Sequence, residues 1–166
     1  MYVTSRGLDA QGFWQDQYGK RGTQFGKDRM PSYSLPFQIH EAPEGTKSFA
    51  VVFEDKDAVP VCGFVWIHWL VANLTQSGLD ENESIAPKTH FVQGVNSWYG
   101  GHELTTEEAS FYGGMAPPNA PHCYELIVYA LDETLPLEKG FFYNELHHAM
   151  EGHILATAVL KGMYRN

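Results

Sequence analysis

The stretch FEDKDAVPVCGFVWIHWLVANL, residues 53–74, decides how the rest of the chain is interpreted. Two carboxylates, Asp55 and Asp57, precede a proline-containing turn and an apolar run that holds one imidazole, His68. Such an apolar run is typical of a strand buried on both faces. A buried imidazole needs a hydrogen-bond partner, and the sequence leaves two alternatives open, the nearby aspartates or a backbone carbonyl.

A second stretch, FYGGMAPPNAPHCYELIVYALD at residues 111–132, has the same order of features. A turn rich in Gly and Pro leads through His122 into a predicted strand over residues 124–131. Tyr124 lies two residues beyond His122, so both side chains are expected on one face. Two histidines at turn-to-strand junctions, beside a carboxylate pair, predict one polar pocket at the end of a sheet.

The carboxylate pair in the first stretch has two interpretations. Residues two apart on an extended backbone point the same way, so Asp55 and Asp57 are both expected to enter one cleft. The alternative is that they are ordinary turn residues whose side chains accept local backbone N–H groups.

Composition limits the kinds of protein that this chain represents. Its 166 residues predict one domain, spanning residues 1–166, with a substantial core. A net charge of −9 with only 11 Lys and Arg residues argues against a nucleic-acid partner. No stretch has the pattern of a secretory signal or a transmembrane segment, so a cytoplasmic location is expected. Cys62 and Cys123 are therefore interpreted as reduced thiols.

The order of secondary structure favours a mainly β, antiparallel β-sandwich. Short predicted strands, including an edge strand at residues 2–5 and others at 49–53 and 90–95, are separated by turns and a polar loop at 75–88. The surface segment at residues 102–110 predicts one helical turn that begins at Thr105 or Thr106. A long C-terminal helix is predicted over residues 143–160, with Gly162 as its stop. Helices therefore do not alternate with strands, which argues against a wound α/β fold.

Common catalytic and metal-binding motifs are missing from the sequence. The HExxH, HxxxH and CxxC spacings of zinc sites are absent, as is the GxSxG nucleophile motif. Phosphate-binding loops of the GxxxxGK or GxGxxG type are absent as well. No metal and no cofactor are expected. What remains is an anion-accepting pocket of imidazole, tyrosine hydroxyl and backbone donors.

Several segments, in this order, resemble the phosphatidylethanolamine-binding protein family, also called the Raf kinase inhibitor protein family, and especially its bacterial branch. They are residues 34–55 with the GTKSFA turn, the DKDAVP turn with its histidine strand, QGVNSWYGG at residues 93–101, the second stretch quoted above, and residues 150–164. The resemblance implies a large central antiparallel sheet packed on a smaller one, with a pocket that accepts phosphate-like or carboxylate anions.

The resemblance also implies the residues of that pocket. They are Asp55, Asp57, Trp66, His68, Pro118, His122 and Tyr124. Three positions depart from the family pattern. Lys56 replaces a proline, and Val59 is an additional residue before Pro60. The acidic turn is therefore expected to be less rigid or to point in a different direction. Cys123 replaces a common arginine, which removes a positive charge.

These features support three hypotheses about function. The first is a binding protein for phosphate-containing small molecules, lipid head groups or phosphorylated protein segments, in which His68 and His122 donate to the anion. The alternative is a hydrolase or lyase that uses the Asp and His residues as general acid and base, although no catalytic residue is assigned. The third is a regulator that inhibits a partner such as a kinase. If the chain associates with itself, a homodimer is expected.

Overall fold

The computed structural model describes residues 1–88, 90–101 and 103–166. Within these ranges the eight strands are β1 (Tyr2–Thr4), β2 (Phe37–His40), β3 (Ser48–Asp55), β4 (Trp66–Leu74), β5 (Gly78–Leu79), β6 (Val92–Gly94), β7 (His122–Leu131) and β8 (Ile154–Tyr164). The helices there are α1 (Val59–Cys62), α2 (Trp98–Gly101), α3 (Thr106–Ala109) and α4 (Tyr143–Met150), with 3-10 turns at Asp16–Tyr18 and Lys27–Arg29. No helix in these ranges has the length and apolar character needed to cross a bilayer.

The strands form two sheets that confirm the predicted sandwich. The larger has the order β6-β4-β3-β7-β8 and the smaller the order β1-β2-β5. Every strand pair in both sheets is antiparallel. The central strands β3 and β4 are buried along almost their whole length, as the apolar run around His68 predicts.

The larger sheet has apolar packing on both of its faces. On one face, side chains from both sheets and the N-terminal segment form the main core, which includes Trp14, Phe37, Phe53, Trp69 and Leu126. On the other face, Leu146 and Met150 of α4 pack over Val52 and Leu70. Since both faces are covered, polar groups on the central strands must find hydrogen-bond partners within the protein.

The predicted C-terminal helix exists but is much shorter than expected. It ends at Met150, so the prediction of a helix to Leu160 is wrong, as is the role of Gly162 as its stop. Gly152 follows the helix with φ of 82°, a left-handed conformation that glycine adopts without strain. The chain then returns as β8, which pairs with β7 from Ile154 to Tyr164. Without β8, the backbone groups along one edge of β7 would lack hydrogen-bond partners. This tertiary pairing outweighs the helical period of the local sequence.

The remaining short elements mostly follow their local signals. The predicted strands at residues 2–5 and 90–95 contain β1 and β6. Thr105 begins α3 through a capping box, in which its hydroxyl accepts the Glu108 N–H and the Glu108 carboxylate accepts the Thr105 N–H. The predicted loop at 75–88 contains one short strand, β5, that the sequence did not indicate. His102, the first residue of the predicted surface segment, lies outside the described residues.

The β8 strand leads to a stability prediction at Gly162. A Cβ added there would lie 2.5 Å from Trp14 Nε1, in the buried core. We expect Gly162→Ala to lower the free energy of unfolding by about 1–3 kcal/mol, because the core must shift to accept the methyl group. Urea denaturation measures the change. The control is Gly100→Ala, where an added Cβ meets no atom of the described residues within 4 Å; equal stabilities of the two variants would contradict the packing.

Candidate functional site

A cavity of about 200 Å³ lies at one end of the larger sheet. Three strands meet there because β3 runs antiparallel to both of its neighbours, so its C-terminal end lies beside the N-terminal ends of β4 and β7. In this register Asp55 pairs with Trp66 on one side and with Tyr124 on the other. The two histidine-bearing strands are thus brought to one carboxylate, as the sequence predicted.

All of the predicted site residues except Asp57 line this cavity. They are Asp55, Trp66, His68, Pro118, His122 and Tyr124. The wall also contains residues that the sequence did not indicate, which are Ala58, Val61, Cys62, Trp98, Ala116 and Pro117. Most of them lie on α1 or on the proline-rich loop before β7, next to predicted residues. Their apolar side chains carry no chemical signal of their own.

Asp57 lies outside the cavity wall, so the expectation that both carboxylates enter one cleft is not met. Its carboxylate instead accepts the backbone N–H of Cys123 at 2.8 Å. The rule that residues two apart share a face holds only for extended backbone, and β3 ends at Asp55. The chain turns at Lys56, which redirects the next side chain. Asp57 thereby ties the α1 turn to the start of β7.

His122 and Asp55 form the polar centre of the cavity. The two side chains are 3% and 4% exposed, and His122 Nδ1 lies 2.7 Å from Asp55 Oδ2. His122 Nε2 lies 2.9 Å from Oδ1 of Asn119. Both ring nitrogens therefore face oxygen atoms of polar side chains. A buried carboxylate requires such a partner, and Asp55 Oδ1 also accepts the N–H of Ala58.

His68 is held by a hydrogen bond to a backbone carbonyl, which is the second of the two partners that the sequence left open. Its Nδ1 lies 2.6 Å from the carbonyl oxygen of Gly113, which can only accept, so Nδ1 carries the proton. Burial lowers the pKa of His68 from 6.5 to about 4, against smaller opposing effects from Gly113 and Asp55. His68 is thus neutral at pH 7, and the only ring nitrogen left for a ligand is Nε2, which acts as an acceptor. This does not fit the expectation that His68 donates to an anion.

Tyr124 contributes a buried hydroxyl that has no hydrogen-bond partner among the described residues. The ring is fully buried and packs against Phe53, His68 and Tyr164. Burial, followed by the charge of Asp55, raises the pKa of Tyr124, so the group remains a protonated donor. Asp55 and the backbone of Ala116 lie near enough to the hydroxyl to affect this pKa, Asp55 raising it and Ala116 lowering it, but neither meets hydrogen-bond geometry with the hydroxyl. Since an unsatisfied buried hydroxyl is unfavourable, the group is suited to a ligand atom.

The departures from the family pattern lie around the cavity rather than in it. Lys56 forms ion pairs with Glu54 at 3.2 Å and Glu125 at 2.6 Å. Cys62 and Cys123 are free thiols, as predicted. The part of the wall that the structure describes contains no Lys or Arg. The cavity therefore depends on hydrogen-bond donors and on the His122 ring for any attraction to an anion.

One group of possible metal ligands occurs within the described ranges, and it is away from the cavity wall. It consists of the exposed residues His147, His148 and Glu151 at the end of α4. None of these residues lines the cavity. The expectation that the chain uses no metal or cofactor remains a prediction.

The fold and the cavity together define a β-sandwich binding protein with a small buried His/Asp site. The sequence model of the family described as phosphatidylethanolamine-binding protein matches residues 7–165, and the chain belongs to this family. Among its relatives, YxkA of Bacillus subtilis is 36% identical over 163 residues, covering 95% of this chain and 97% of that protein. A UPF0098 protein of Chlamydia muridarum is 40% identical over 134 residues, covering 79% and 81% of the two chains.

Solved structures agree with this assignment. A putative phosphatidylethanolamine-binding protein homolog from Chlamydia trachomatis superposes with a TM-score of 0.80 at 31% identity, covering 99% of this chain and 97% of the other. YbcL of E. coli, described as a new member of the mammalian family, has a TM-score of 0.78 at 26% identity, covering 99% and 98%. Membership makes the chain a binding protein of this family's type.

The pKa of His68 leads to a prediction about stability and pH. At pH values well above 6.5 the ring is neutral in both the folded and the unfolded state, and its contribution to stability is complete. As the pH falls from 6.5 towards 4, the unfolded chain takes up a proton that the folded site excludes. We expect this effect to lower the free energy of unfolding by about 2 kcal/mol at pH 5.

The measurement is urea denaturation of wild type and His68→Asn at pH 7 and pH 5. The asparagine amide can still donate to the Gly113 carbonyl but does not titrate. Wild type should therefore lose more stability than the variant between the two pH values. The same pH dependence in both proteins would show that the folded site does not exclude the proton from His68.

Proposed function

We propose that the cavity binds a small ligand through an anionic group, either a phosphate ester or a carboxylate. The observation that carries the proposal is the buried hydroxyl of Tyr124, which has no partner among the described residues and lines the same cavity as His122. A hydrogen bond to a charged acceptor contributes more than one to a neutral acceptor. An anionic oxygen is therefore the partner that satisfies this hydroxyl best.

His122 supplies the second donor. Its Nε2 is bonded to Asn119, an exposed residue of the proline-rich loop, whereas its Nδ1 is bonded to the buried Asp55. A ligand oxygen can replace the Asn119 amide, which then returns to solvent, without disturbing the buried pair. Asp55 holds the ring in place through Nδ1, and donation from Nε2 requires the ring to carry a proton on each nitrogen. The site thus offers two donors to an anion although it contains a carboxylate.

His68 adds a preference for ligands that also carry a donor. Because its neutral ring has only Nε2 available, it can accept a hydrogen bond from a ligand but cannot donate one. A singly protonated phosphate, or an ammonium group beside a phosphate, meets this requirement. The walls formed by Trp66, Trp98, Val61 and Pro117 provide apolar contact for the carbon part of the ligand.

Three sources of such an anion fit this chemistry: a free phosphate ester, a lipid head group and a phosphorylated segment of a protein partner. Calorimetric titration of the whole chain with inorganic phosphate, phosphoethanolamine, acetate and a phosphoserine peptide distinguishes them. Binding of phosphoethanolamine in preference to acetate is expected, because only the former has a donor for His68. Absence of binding by all four ligands would overturn the proposal.

The central test is Tyr124→Phe, which removes the hydroxyl and keeps the ring. We expect the affinity for phosphoethanolamine to fall about tenfold or more, as for the loss of a hydrogen bond to a charged group. The free energy of unfolding should stay the same or rise, because the hydroxyl has no partner among the described residues of the unliganded protein. This combination separates a ligand-binding hydroxyl from a structural one.

The matched control is Tyr112→Phe. The hydroxyl of Tyr112 is also buried, but it donates to the carbonyl of Tyr18 at 2.6 Å and lies outside the cavity wall. Its removal should lower stability by about 1 kcal/mol and leave the affinity unchanged. If Tyr124→Phe instead binds phosphoethanolamine as wild type does, the proposed role of Tyr124 is wrong.

A further inference from the structure

The C-terminal end of α4 brings together three exposed side chains that are all able to ligate a metal ion. They are His147 and His148, which lie in the last turn of the helix, and Glu151, the residue directly after it. One ligand atom of each residue lies within 4.8 Å of those of the other two. Imidazole nitrogens and carboxylate oxygens are ligands that Zn²⁺ accepts readily in proteins.

The local backbone explains why these side chains converge. Residues three and four positions apart on a helix lie on the same side, so Glu151 is a neighbour of both His148 and His147. Glu151 leaves the helical conformation, with φ of −58° and ψ of 122°, but its backbone N–H still donates to the carbonyl of His148 at 3.2 Å. Gly152, whose φ is 82°, then turns the chain away. The carboxylate is therefore held beside the two rings.

A single oxygen atom of Glu151 faces both rings. Its Oε1 lies 3.3 Å from Nδ1 of His148 and 3.7 Å from Nδ1 of His147. Ligand atoms that each lie about 2.1 Å from a zinc ion are roughly 3.0–3.4 Å apart, for octahedral and tetrahedral geometry respectively. The observed distances are close to these values, so small rotations of exposed side chains are sufficient to place one ion among the three ligand atoms.

The charge at this position favours a cation. Among the described residues, Glu151 forms ion pairs only with the two histidines and with no lysine or arginine. The C-terminal end of a helix also carries a partial negative charge from its last carbonyl groups. The side chains of His147, His148 and Glu151 are 63%, 72% and 64% exposed. A hydrated ion therefore reaches them without any change in the fold.

We propose that His147, His148 and Glu151 bind one Zn²⁺ ion, which fastens the end of α4 to the turn before β8. Three protein ligands and one water molecule complete a tetrahedral site. The motifs whose absence predicts no metal, HExxH, HxxxH and CxxC, do not include ligands at positions i, i+1 and i+4. Because α4 covers one face of the larger sheet, an ion that binds only the folded arrangement stabilises this packing.

The test is calorimetric titration of the whole chain, without a histidine tag, with zinc chloride in a buffer that does not bind metals. We expect one ion to bind per chain. His148→Ala removes one of three ligands and should raise the zinc dissociation constant about tenfold or more. Glu151→Gln keeps the side-chain size but removes the charge, and should weaken binding as well. The matched control is His90→Ala, which also removes an exposed imidazole and should bind zinc as wild type does.

Two further measurements locate the ion and test its effect. In nuclear magnetic resonance spectra, zinc should shift the ring signals of His147 and His148 but not those of His68 and His122 in the cavity. Saturating zinc should also raise the Tm of wild type more than that of His148→Ala.

The site residues are exposed, so the variants are expected to fold as wild type does. A wild type that binds no zinc, or His148→Ala and Glu151→Gln variants that bind it equally well, would overturn the proposal. A wild-type Tm that does not respond to zinc would overturn the stabilising role of the ion. None of these outcomes affects the proposed ligand cavity.

Discussion

The hydrogen bonding of β3 along both of its edges is the constraint on which the rest of the structure depends. All residues of β3 are buried, and the strand pairs with β4 on one side and β7 on the other. A slip of one residue in either ladder would exchange side chains between the two packed faces of the sheet and move Asp55 away from its neighbours on β4 and β7. The position of Asp55 beside the two histidine-bearing strands follows from these registers.

The titratable groups of the cavity lie close together. Asp55 is buried against His122, while His68 is kept neutral by burial and Tyr124 remains protonated. The net charge of −9 gives no long-range attraction for an anion. Recognition at this site must therefore depend on short-range hydrogen bonds and on contact with apolar walls, which favours a ligand whose shape and donors both fit.

The C-terminal region shows how tertiary pairing replaces a local pattern. Leu146 and Met150 follow a helical period and are buried under α4 as that period predicts. Beyond Gly152 the apolar residues fit either a helix or a strand, because short apolar runs carry both patterns. The free edge of β7 decides between them, since pairing there satisfies backbone groups that would otherwise be exposed. By pairing with β7, β8 becomes the edge strand of the larger sheet.

The sequence by itself determined the sandwich class, the buried central strands and most of the residues around the cavity. These features depend on residue type and on spacing along the chain, which are visible without coordinates. Only the tertiary structure decided that Asp55 enters the cavity and Asp57 does not, that His68 is neutral, and that the buried hydroxyl of Tyr124 has no partner in the part of the chain that the structure describes. The reason is that burial and hydrogen bonding depend on distant segments: Asp55 and His122 are 67 residues apart in the chain, yet their side chains lie 2.7 Å apart.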